Sequence, residues 1–188
     1  MIEPWNKLDS TPQGDYYVFN VRQDRVRAPE GGTHDFYVIE SNDWVNVIPL
    51  TADGQVVCIR QFRHGTEAVT LEIPGGMVDP GESPAAAAAR ELLEETGYEA
   101  EAVVPLGAVE PNPAIQNNRC HTYLAKGARR VAEQALDGTE DIEVELVDLD
   151  AIPRLITSGR ITHALVVVAF YLFDQHHHTE KRPDRPGG

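Results

Sequence analysis

The chain has 188 residues, enough for one globular domain with a substantial hydrophobic core. Its 30 acidic residues outnumber 16 basic ones, and the formal charge of −14 argues against a surface that wraps nucleic acid, because such surfaces neutralise phosphates with Lys and Arg. Hydrophobic residues make up 41% of the sequence, but no apolar run reaches the roughly 18 residues that a membrane span needs. We therefore expect a globular protein that binds neither nucleic acid nor a membrane.

The cysteine count and the N-terminal sequence bear on the cellular compartment. Cys58 and Cys120 form neither a disulfide framework nor a zinc-ligand spacing. The N-terminus lacks the basic segment followed by an apolar segment that marks a secretory signal. Together these features predict a location in the reducing cytoplasm.

The first 75 residues carry the patterns of β-strands. Strands are predicted at 15–27 and 34–40, and residues 1–40 are expected to form an N-terminal arm of strands. Two further strands, 45–50 and 55–63, flank Asp53-Gly54, a dipeptide typical of tight hairpins. A strand over 69–73 then leads into Pro74-Gly75-Gly76.

A helix is predicted to begin after Ser83 and to end at Gly97. Ser83 suits the N-cap and Pro84 the first helical position. Ala85–Ala89 have high helix propensity, and Gly97 is a typical C-terminal stop.

Strands and helices alternate in the second half of the chain. Strands are predicted at 101–110, 121–128 and 142–149, with irregular segments at 111–118 and 133–141. Helices are predicted from Asp150 to about Ser158 and from about Thr162 to Phe173, followed by a flexible tail over 176–188. This order predicts a mixed α/β sandwich for residues 41–175.

Three glutamates at the end of the predicted Ser83–Gly97 helix break local rules. Glu91 shares a helix face with Glu94 and Glu95, where like charges repel. The C-terminal end of a helix also favours basic side chains over carboxylates. Each effect costs only about 0.2–1 kcal/mol, but both act in the same direction, and bound divalent cations are the simplest compensation.

The stretch from Gly76 to Tyr98 resembles the Nudix box. Glycine and polar positions of that signature are filled at the right spacing, and Tyr98 replaces a commoner branched aliphatic residue. Gln61-Phe62-Arg63 and Glu72-Ile73-Pro74-Gly75-Gly76 are similar to segments that precede the box in ADP-ribose and nucleotide-sugar pyrophosphatases. The resemblance implies a Nudix-type α/β/α sandwich with a mixed central sheet, plus an N-terminal antiparallel strand region. The matching box positions are Gly76, Glu82, Arg90, Glu91, Glu94, Glu95 and Gly97.

The resemblance implies that the box binds Mg²⁺, for which Mn²⁺ can substitute. The implied ligands are Glu91, Glu94, Glu95 and the backbone carbonyl of Gly75. Mg²⁺ takes oxygen ligands and couples carboxylates to substrate phosphates, where it lowers the pKa of a bound water. Glu94 and Arg90 are also candidates for a catalytic role. For Arg90, bracing of the helix through Glu82 and contact with substrate are both open.

A carboxylate on a loop late in the chain is implied as the general base. In enzymes of this type a glutamate on a mobile loop often activates the water, and the matching segment here is 138–143. Glu140 is the first candidate and Glu143 the second, while Asp141 stays open. The alternative for this segment is a solvated acidic turn.

Four residues are candidates for substrate binding: Arg63, Trp44, Arg60 and Glu72. The resemblance places Arg63 on the diphosphate, and Arg60, earlier on the same strand, is expected to share its face. Trp44 begins a strand and suits stacking on a base, with a buried core position as the alternative. Pro113 lies near the place where ADP-ribose-cleaving members carry a proline.

The resemblance implies hydrolysis of a nucleoside diphosphate joined to a sugar. ADP-ribose is the first candidate and would give AMP and ribose 5-phosphate. A GDP-mannose or ADP-glucose preference is the nearest alternative, and a non-catalytic sensor of ADP-ribose is the alternative from another class. The resemblance also implies a homodimer whose N-terminal strands reach toward the partner.

Overall fold

The computed structural model describes residues 1–138 and 140–180. These form two compact units. The first comprises Met1–Asp43 and Val109–Arg119, and the second comprises Trp44–Ala108 and the chain from Cys120 onward.

The first unit is built on an antiparallel sheet of three strands, β1 (Asn6–Asp15), β2 (Asn20–Arg27) and β3 (Thr33–Glu40), in that order. The single strand predicted over 15–27 is therefore wrong in its first residues, because a turn at 16–19 separates β1 from β2. The Asp15 carboxylate accepts a hydrogen bond from the Tyr17 N–H at 3.1 Å, and Tyr17 adopts a φ of 68°. Side-chain bonding of this kind is typical of Asp at turns.

Residues 109–119 belong to the same unit through backbone hydrogen bonds with β3. The Ile39 N–H donates to the Ile115 carbonyl at 2.7 Å, and the Asn117 N–H donates to the Ile39 carbonyl at 3.3 Å. The segment that we predicted as irregular is thus held by main-chain bonds rather than by regular structure.

The second unit contains a six-stranded mixed sheet in the order β11-β5-β4-β9-β8, with β6 paired to β5. β4 and β9 run parallel, whereas β5 pairs antiparallel with β4, β6 and β11. A short antiparallel pair, β7 with β10, was not predicted. The strands are β4 (Trp44–Leu50), β5 (Gln55–Arg63), β6 (Ala68–Glu72), β7 (Tyr98–Glu99), β8 (Ala102–Val109), β9 (Cys120–Lys126), β10 (Arg129–Arg130) and β11 (Ile142–Asp148).

Helix α1 (Pro84–Thr96) begins and ends as the sequence predicts. The Ser83 hydroxyl accepts a hydrogen bond from the Ala86 N–H, and Pro84 opens the helix. Gly97 follows in the left-handed conformation at φ 73°, and its N–H donates to the Leu93 carbonyl at 2.8 Å.

The other helices are α2 (Ile152–Thr157), preceded by a 3-10 turn at Leu149–Ala151, and α3 (Ala164–Glu180). α3 continues past the predicted end at Phe173 and includes His176–His178, which we had assigned to the tail. No Gly or Pro interrupts this stretch, and the Phe173 and His177 rings stack with centroids 5.9 Å apart. Residues 181–188 of the predicted tail lie outside the described residues. None of the helices in the described part of the chain is both long and apolar enough to cross a membrane.

Helices cover both faces of the sheet in the second unit, and β4 shows why its sequence is almost continuously apolar. Val45 and Val47 pack in a cluster with Leu92 of α1, while Ile48 packs in the opposite cluster with Phe170 of α3. A strand that is buried on both faces needs apolar residues at odd and even positions. The result is the predicted α/β/α sandwich, in which α1 and α3 lie on opposite sides of the same strand.

Candidate active site

The glycine loop after β6 lies against the carboxylates of α1. The Gly75 N–H donates to Glu95 Oε2 at 2.9 Å, and a Cβ on Gly76 would overlap the Glu91 carboxylate. A Cβ on Gly75 would overlap the Val45 carbonyl oxygen. Glycine is therefore required at both positions for close approach of the loop to β4 and to α1.

Glu91 and Glu95 are 8% and 3% exposed, although nothing in their sequence context marks them as core residues. Burial raises the pKa of Glu95 to about 8, and the neighbouring charges of Glu91 and Glu140 act in the same direction. Burial likewise raises the pKa of Glu91 in spite of a hydrogen bond from Arg90. The site thus concentrates more negative charge than the surrounding residues neutralise.

Arg90 is the main cation within this acidic cluster. It grips Glu82 with Nε and Nη2 at 3.1 and 2.9 Å, and Nη2 also donates to the Met77 carbonyl at 3.0 Å. Its Nη1 donates to Glu91 at 2.8 Å and to Glu94 at 3.1 Å. The hydrogen bonds with Glu82, together with those to the helix glutamates, raise the pKa of Arg90, so its positive charge is permanent. The hydrogen bonds that bracing through Glu82 requires are thus present, while contact of Arg90 with substrate, the other role left open by the sequence, stays a prediction.

A cleft of about 550 Å³ adjoins the same glycine loop. Gly75 and Gly76 line it, so the loop that contacts the helix carboxylates also forms one wall of the cleft. Trp44 lines the cleft and is half-buried, a position that fits stacking on a ligand better than a place in the core. Arg63 and Glu72 are among the polar residues of the lining, with Asn46, Thr70 and His163.

Arg63 is held in the cleft by Glu72. Its Nε and Nη2 donate to the two carboxylate oxygens of Glu72 at 2.9 and 2.8 Å. Glu72 is 2% exposed, and Thr70 donates a further hydrogen bond to it. Burial opposes ionisation of Glu72, but the hydrogen bonds from Arg63 and Thr70 outweigh it and hold its pKa below the ordinary value. Arg63 keeps 41% of its side chain exposed, so its remaining donors can reach a ligand.

The segment before β11 carries Glu140 toward the acidic cluster. Its charge contributes to raising the pKa values of Glu91, Glu95 and Arg63. The Gln134 amide Nε2 donates to the carbonyls of Glu95 at 2.6 Å and Ile142 at 3.1 Å. Gln134 therefore ties the end of α1 to the start of β11 on either side of the Glu140 segment.

Comparison with known proteins identifies the family. A model of the NUDIX domain matches residues 42–170. The chain belongs to the Nudix family. The fold agrees: a crystal structure of an ADP compounds hydrolase superimposes with a TM-score of 0.86 at 22% identity, over 97% of this chain and 99% of that one.

Three relatives are similar over most of the chain. The chain is 30% identical over 153 residues to the ADP-ribose pyrophosphatase of Bacillus subtilis (strain 168), and 33% identical over 153 residues to the methanol dehydrogenase activator of Bacillus methanolicus. Each of these alignments covers 81% of this chain and 83% of the relative. It is 33% identical over 144 residues to the ADP-sugar pyrophosphatase of Mus musculus, covering 71% and 66% respectively.

Nudix hydrolases generally use divalent metal ions, and the residues of this Nudix box fit one. Two buried carboxylates with raised pKa values and the half-exposed Glu94 supply the oxygen donors that a hard cation prefers. Within the described part of the chain, no three acidic, His or Cys side chains are grouped closely enough to hold a metal as they stand. Arg90 instead holds Glu91 and Glu94, so convergence on a cation requires these side chains to turn away from it.

Two predicted site residues lie away from the cleft. Arg60 is three residues before Arg63, an odd number, so the two side chains point to opposite faces of β5, and the expectation of a shared face needs correction. Arg60 instead lies 3.6 Å from Glu143 on β11. The Glu143 side chain is 76% exposed there.

Four polar residues at the site were not predicted: Asn46, Thr70, Gln134 and His163. Asn46 is the one amide in the otherwise apolar strand β4. A polar residue among apolar ones is a signal that the sequence alone contains, because a buried amide needs a hydrogen-bond partner. The other three occur in ordinary polar contexts, and only the fold brings them to the cleft or to α1.

Proposed function

We propose that the protein hydrolyses the pyrophosphate bond of a nucleoside diphosphate linked to a sugar, in a reaction that depends on Mg²⁺. The observation that carries the proposal is the shared glycine loop. Gly75 and Gly76 contact two buried, unbalanced carboxylates on one side and form the wall of a cleft with Trp44 and Arg63 on the other. A pyrophosphate in this cleft would lie within reach of both the metal-binding residues and a guanidinium group.

Each residue in the proposal has a distinct task. Glu91, Glu94, Glu95 and the Gly75 carbonyl would hold the Mg²⁺, which when bound lowers the pKa of a water and neutralises developing charge on phosphate. Arg63, oriented by Glu72, binds the diphosphate through its exposed donors. Trp44 stacks on the base.

Glu140 is our proposal for the general base. It lies close enough to the acidic cluster to affect the pKa values of Glu91 and Glu95, and it precedes the strand rather than being fixed within it. A carboxylate in such a segment can approach bound substrate and accept a proton from the attacking water.

ADP-ribose is the proposed substrate, with AMP and ribose 5-phosphate as products. The proposal is supported by two relatives, an ADP-ribose pyrophosphatase and an ADP-sugar pyrophosphatase. GDP-mannose or ADP-glucose remains the alternative within this class. The complete set of box carboxylates favours an enzyme over a non-catalytic sensor.

We also propose a cytoplasmic homodimer. Trp5 and Phe36 in the first unit are 46% and 49% exposed, and their ring centroids lie 5.8 Å apart. Aromatic side chains exposed together are typical of surfaces that bind another protein. Cys58 is a buried free thiol, which suits a reducing compartment. Sedimentation of the protein as a monomer at assay concentration would contradict the dimer.

The test of the function is incubation of the purified protein with ADP-ribose, ADP-glucose and GDP-mannose in the presence of Mg²⁺, followed by mass analysis of the products. We expect AMP and ribose 5-phosphate from ADP-ribose, and no products in the presence of EDTA. Hydrolysis that persists after chelation would contradict the metal requirement. Tight binding of ADP-ribose without turnover would instead favour the sensor.

A further inference from the structure

His163 and Asn46 line the cleft, and each has a buried side-chain atom that lacks a hydrogen-bond partner within the described part of the chain, Nδ1 and Oδ1 respectively. Unsatisfied polar atoms beside a cleft point to a ligand that completes the pattern. We propose that His163 is a specificity-determining residue that exchanges a hydrogen bond with a sugar hydroxyl of the substrate. The proposal rests on the function proposed above.

The backbone of His163 is fixed by the start of α3. Its carbonyl accepts hydrogen bonds from the N–H groups of Val166 and Val167 at 3.0 and 3.1 Å. A residue anchored in this way has little freedom to move its side chain out of the cleft. The neighbouring turn is also held to β4, because the Asn46 amide Nδ2 donates to the Leu165 carbonyl at 3.1 Å.

The Glu72 carboxylate lies beside the imidazole ring. His163 Nδ1 lies 3.9 Å from Glu72 Oε2, longer than a hydrogen bond but within reach of a small shift of the ring. Oε1 of Glu72 accepts from both Arg63 and Thr70, whereas Oε2 accepts from Arg63 Nη2 and retains capacity for another donor. A proton on Nδ1 directed at this oxygen leaves the other ring nitrogen, Nε2, for a ligand in the cleft.

The accessible part of the ring includes Nε2. The His163 side chain is 40% exposed while Nδ1 is buried, so the exposed surface belongs to the remainder of the ring, which includes Nε2. Asn46, which also lines the cleft, has an unpaired acceptor in Oδ1. An unpaired acceptor calls for a group that donates, and phosphate oxygens do not donate. A sugar hydroxyl does, and it leaves the pyrophosphate to Arg63 and the box.

A site that hydrogen-bonds a substrate hydroxyl rejects the analogue that lacks it more strongly than an apolar pocket rejects a change of size. The test therefore compares kcat/KM for ADP-ribose with kcat/KM for analogues that each lack one sugar hydroxyl. Three variants are measured with the wild type. His163→Phe keeps a ring but removes both ring nitrogens, and His163→Gln supplies an amide group in their place. His178→Phe, on the exposed part of α3, is the matched control.

We expect the wild type to prefer ADP-ribose over one deoxy analogue by about 10-fold or more. His163→Phe should remove this preference by lowering kcat/KM for ADP-ribose about 10-fold and leaving the deoxy analogue unchanged, while His163→Gln should restore part of it. Equal losses on all analogues, or an unchanged preference, would overturn the assignment. A His163→Phe protein that fails to fold moves the test to His163→Gln, in which a preference lower than the wild type's but above one supports the assignment and any other result overturns it.

Failure of the function itself looks different. A wild type that hydrolyses no nucleotide sugar refutes the proposed function, and the role of His163 falls with it. A wild type that hydrolyses ADP-ribose but distinguishes none of the deoxy analogues refutes the role of His163 alone.

Discussion

Two buried glutamates flank one glycine loop and differ in how their charges are balanced. Glu72 and Glu95 are 2% and 3% exposed. Glu72 receives both arms of the Arg63 guanidinium, and its pKa lies below the ordinary value in spite of burial. Glu95 receives one backbone N–H from Gly75 and has Glu91 as a neighbour, and burial raises its pKa to about 8.

The difference separates two uses of a buried carboxylate. Arg63 balances the charge of Glu72, and Glu72 in turn holds Arg63 in place. Among the described residues no cation pairs with Glu95 in this way, so its charge is costly until a cation from solution arrives. The same loop thus lies between Glu72, whose charge Arg63 balances, and Glu95, whose charge is unbalanced. We place the metal at the unbalanced carboxylate.

The largest effect is expected when the unbalanced carboxylate, Glu95, loses its charge. Glu95→Gln should lower kcat about 100-fold or more, because the loss of partners that only orient metal ligands already costs about 10–100-fold. The fold should remain at least as stable as wild type without metal, because a costly buried charge is gone. Steady-state kinetics over a range of Mg²⁺ concentrations, with thermal unfolding in EDTA, measures both. A variant with full Mg²⁺-dependent activity would refute the ligand assignment.

Glu140 adds negative charge to the environment of Glu95, and removal of that charge is expected to have the next largest effect. Glu140→Gln should lower kcat about 100-fold, the lower end of the range for a positioned base, with a smaller change in KM. Glu143→Gln is the matched control, because its side chain lies beside Arg60 and away from the cleft. If Glu143→Gln were the slower enzyme, the base would have to be reassigned.

The sequence predicts elements well where local and tertiary signals agree. Ser83, Pro84 and Gly97 set the ends of α1, because each supplies a capping group or a backbone conformation that neighbours alone determine. β1 was missed because its sequence is polar, contains Pro12 and Gly14, and is exposed along most of its length. Pairing with β2 forms that strand, and no pattern within β1 reports the pairing.

The candidate site divides in the same way. The box residues on α1 could be found because their chemistry requires fixed spacing within one helix. The opposite directions of Arg60 and Arg63 follow from strand period alone, and close attention to that period predicts them. His163 could not be found, since it lies far from Glu72 in sequence and only the packing of α3 against the sheet brings the two within 3.9 Å.

The Arg63–Glu72 ion pair should matter more for stability than for the chemical step. Glu72→Gln removes the charge that balances Arg63, and we expect a loss of about 1–3 kcal/mol in the free energy of unfolding, less than for a fully buried pair because Arg63 is partly solvated. KM should rise more than kcat falls. Urea unfolding of the metal-free protein measures the first quantity. Glu67→Gln, an exposed position on the same hairpin, is the control, and equal stability of both variants would contradict the comparison.

The pH dependence of stability should have opposite signs for the two carboxylates. Glu95 has a folded-state pKa of about 8 against an ordinary value of 4.5, so the folded protein binds more protons than the unfolded chain between these pH values. Its contribution therefore makes the metal-free protein less stable as pH rises from about 5 to 8. Glu72, with a lowered pKa, contributes stability that is lost only as pH falls below 4.5. Urea unfolding in EDTA should show a flatter profile between pH 5 and 8 for Glu95→Gln, and an unaltered slope would contradict the assignment of this charge.

The smallest effect extends the comparison to the segment that carries Glu140. Gln134 holds the Glu95 carbonyl and the Ile142 carbonyl, so its loss should loosen Glu140 relative to α1 without removing any charge. Gln134→Ala should lower kcat about 5-fold, the equivalent of one net hydrogen bond of about 1 kcal/mol. If Gln134 acts by positioning Glu140, the same substitution in a Glu140→Gln background should have almost no further effect on kcat. Additive losses in the double variant would show that Gln134 acts independently of Glu140, and Glu133→Ala, its exposed neighbour, should leave kcat unchanged.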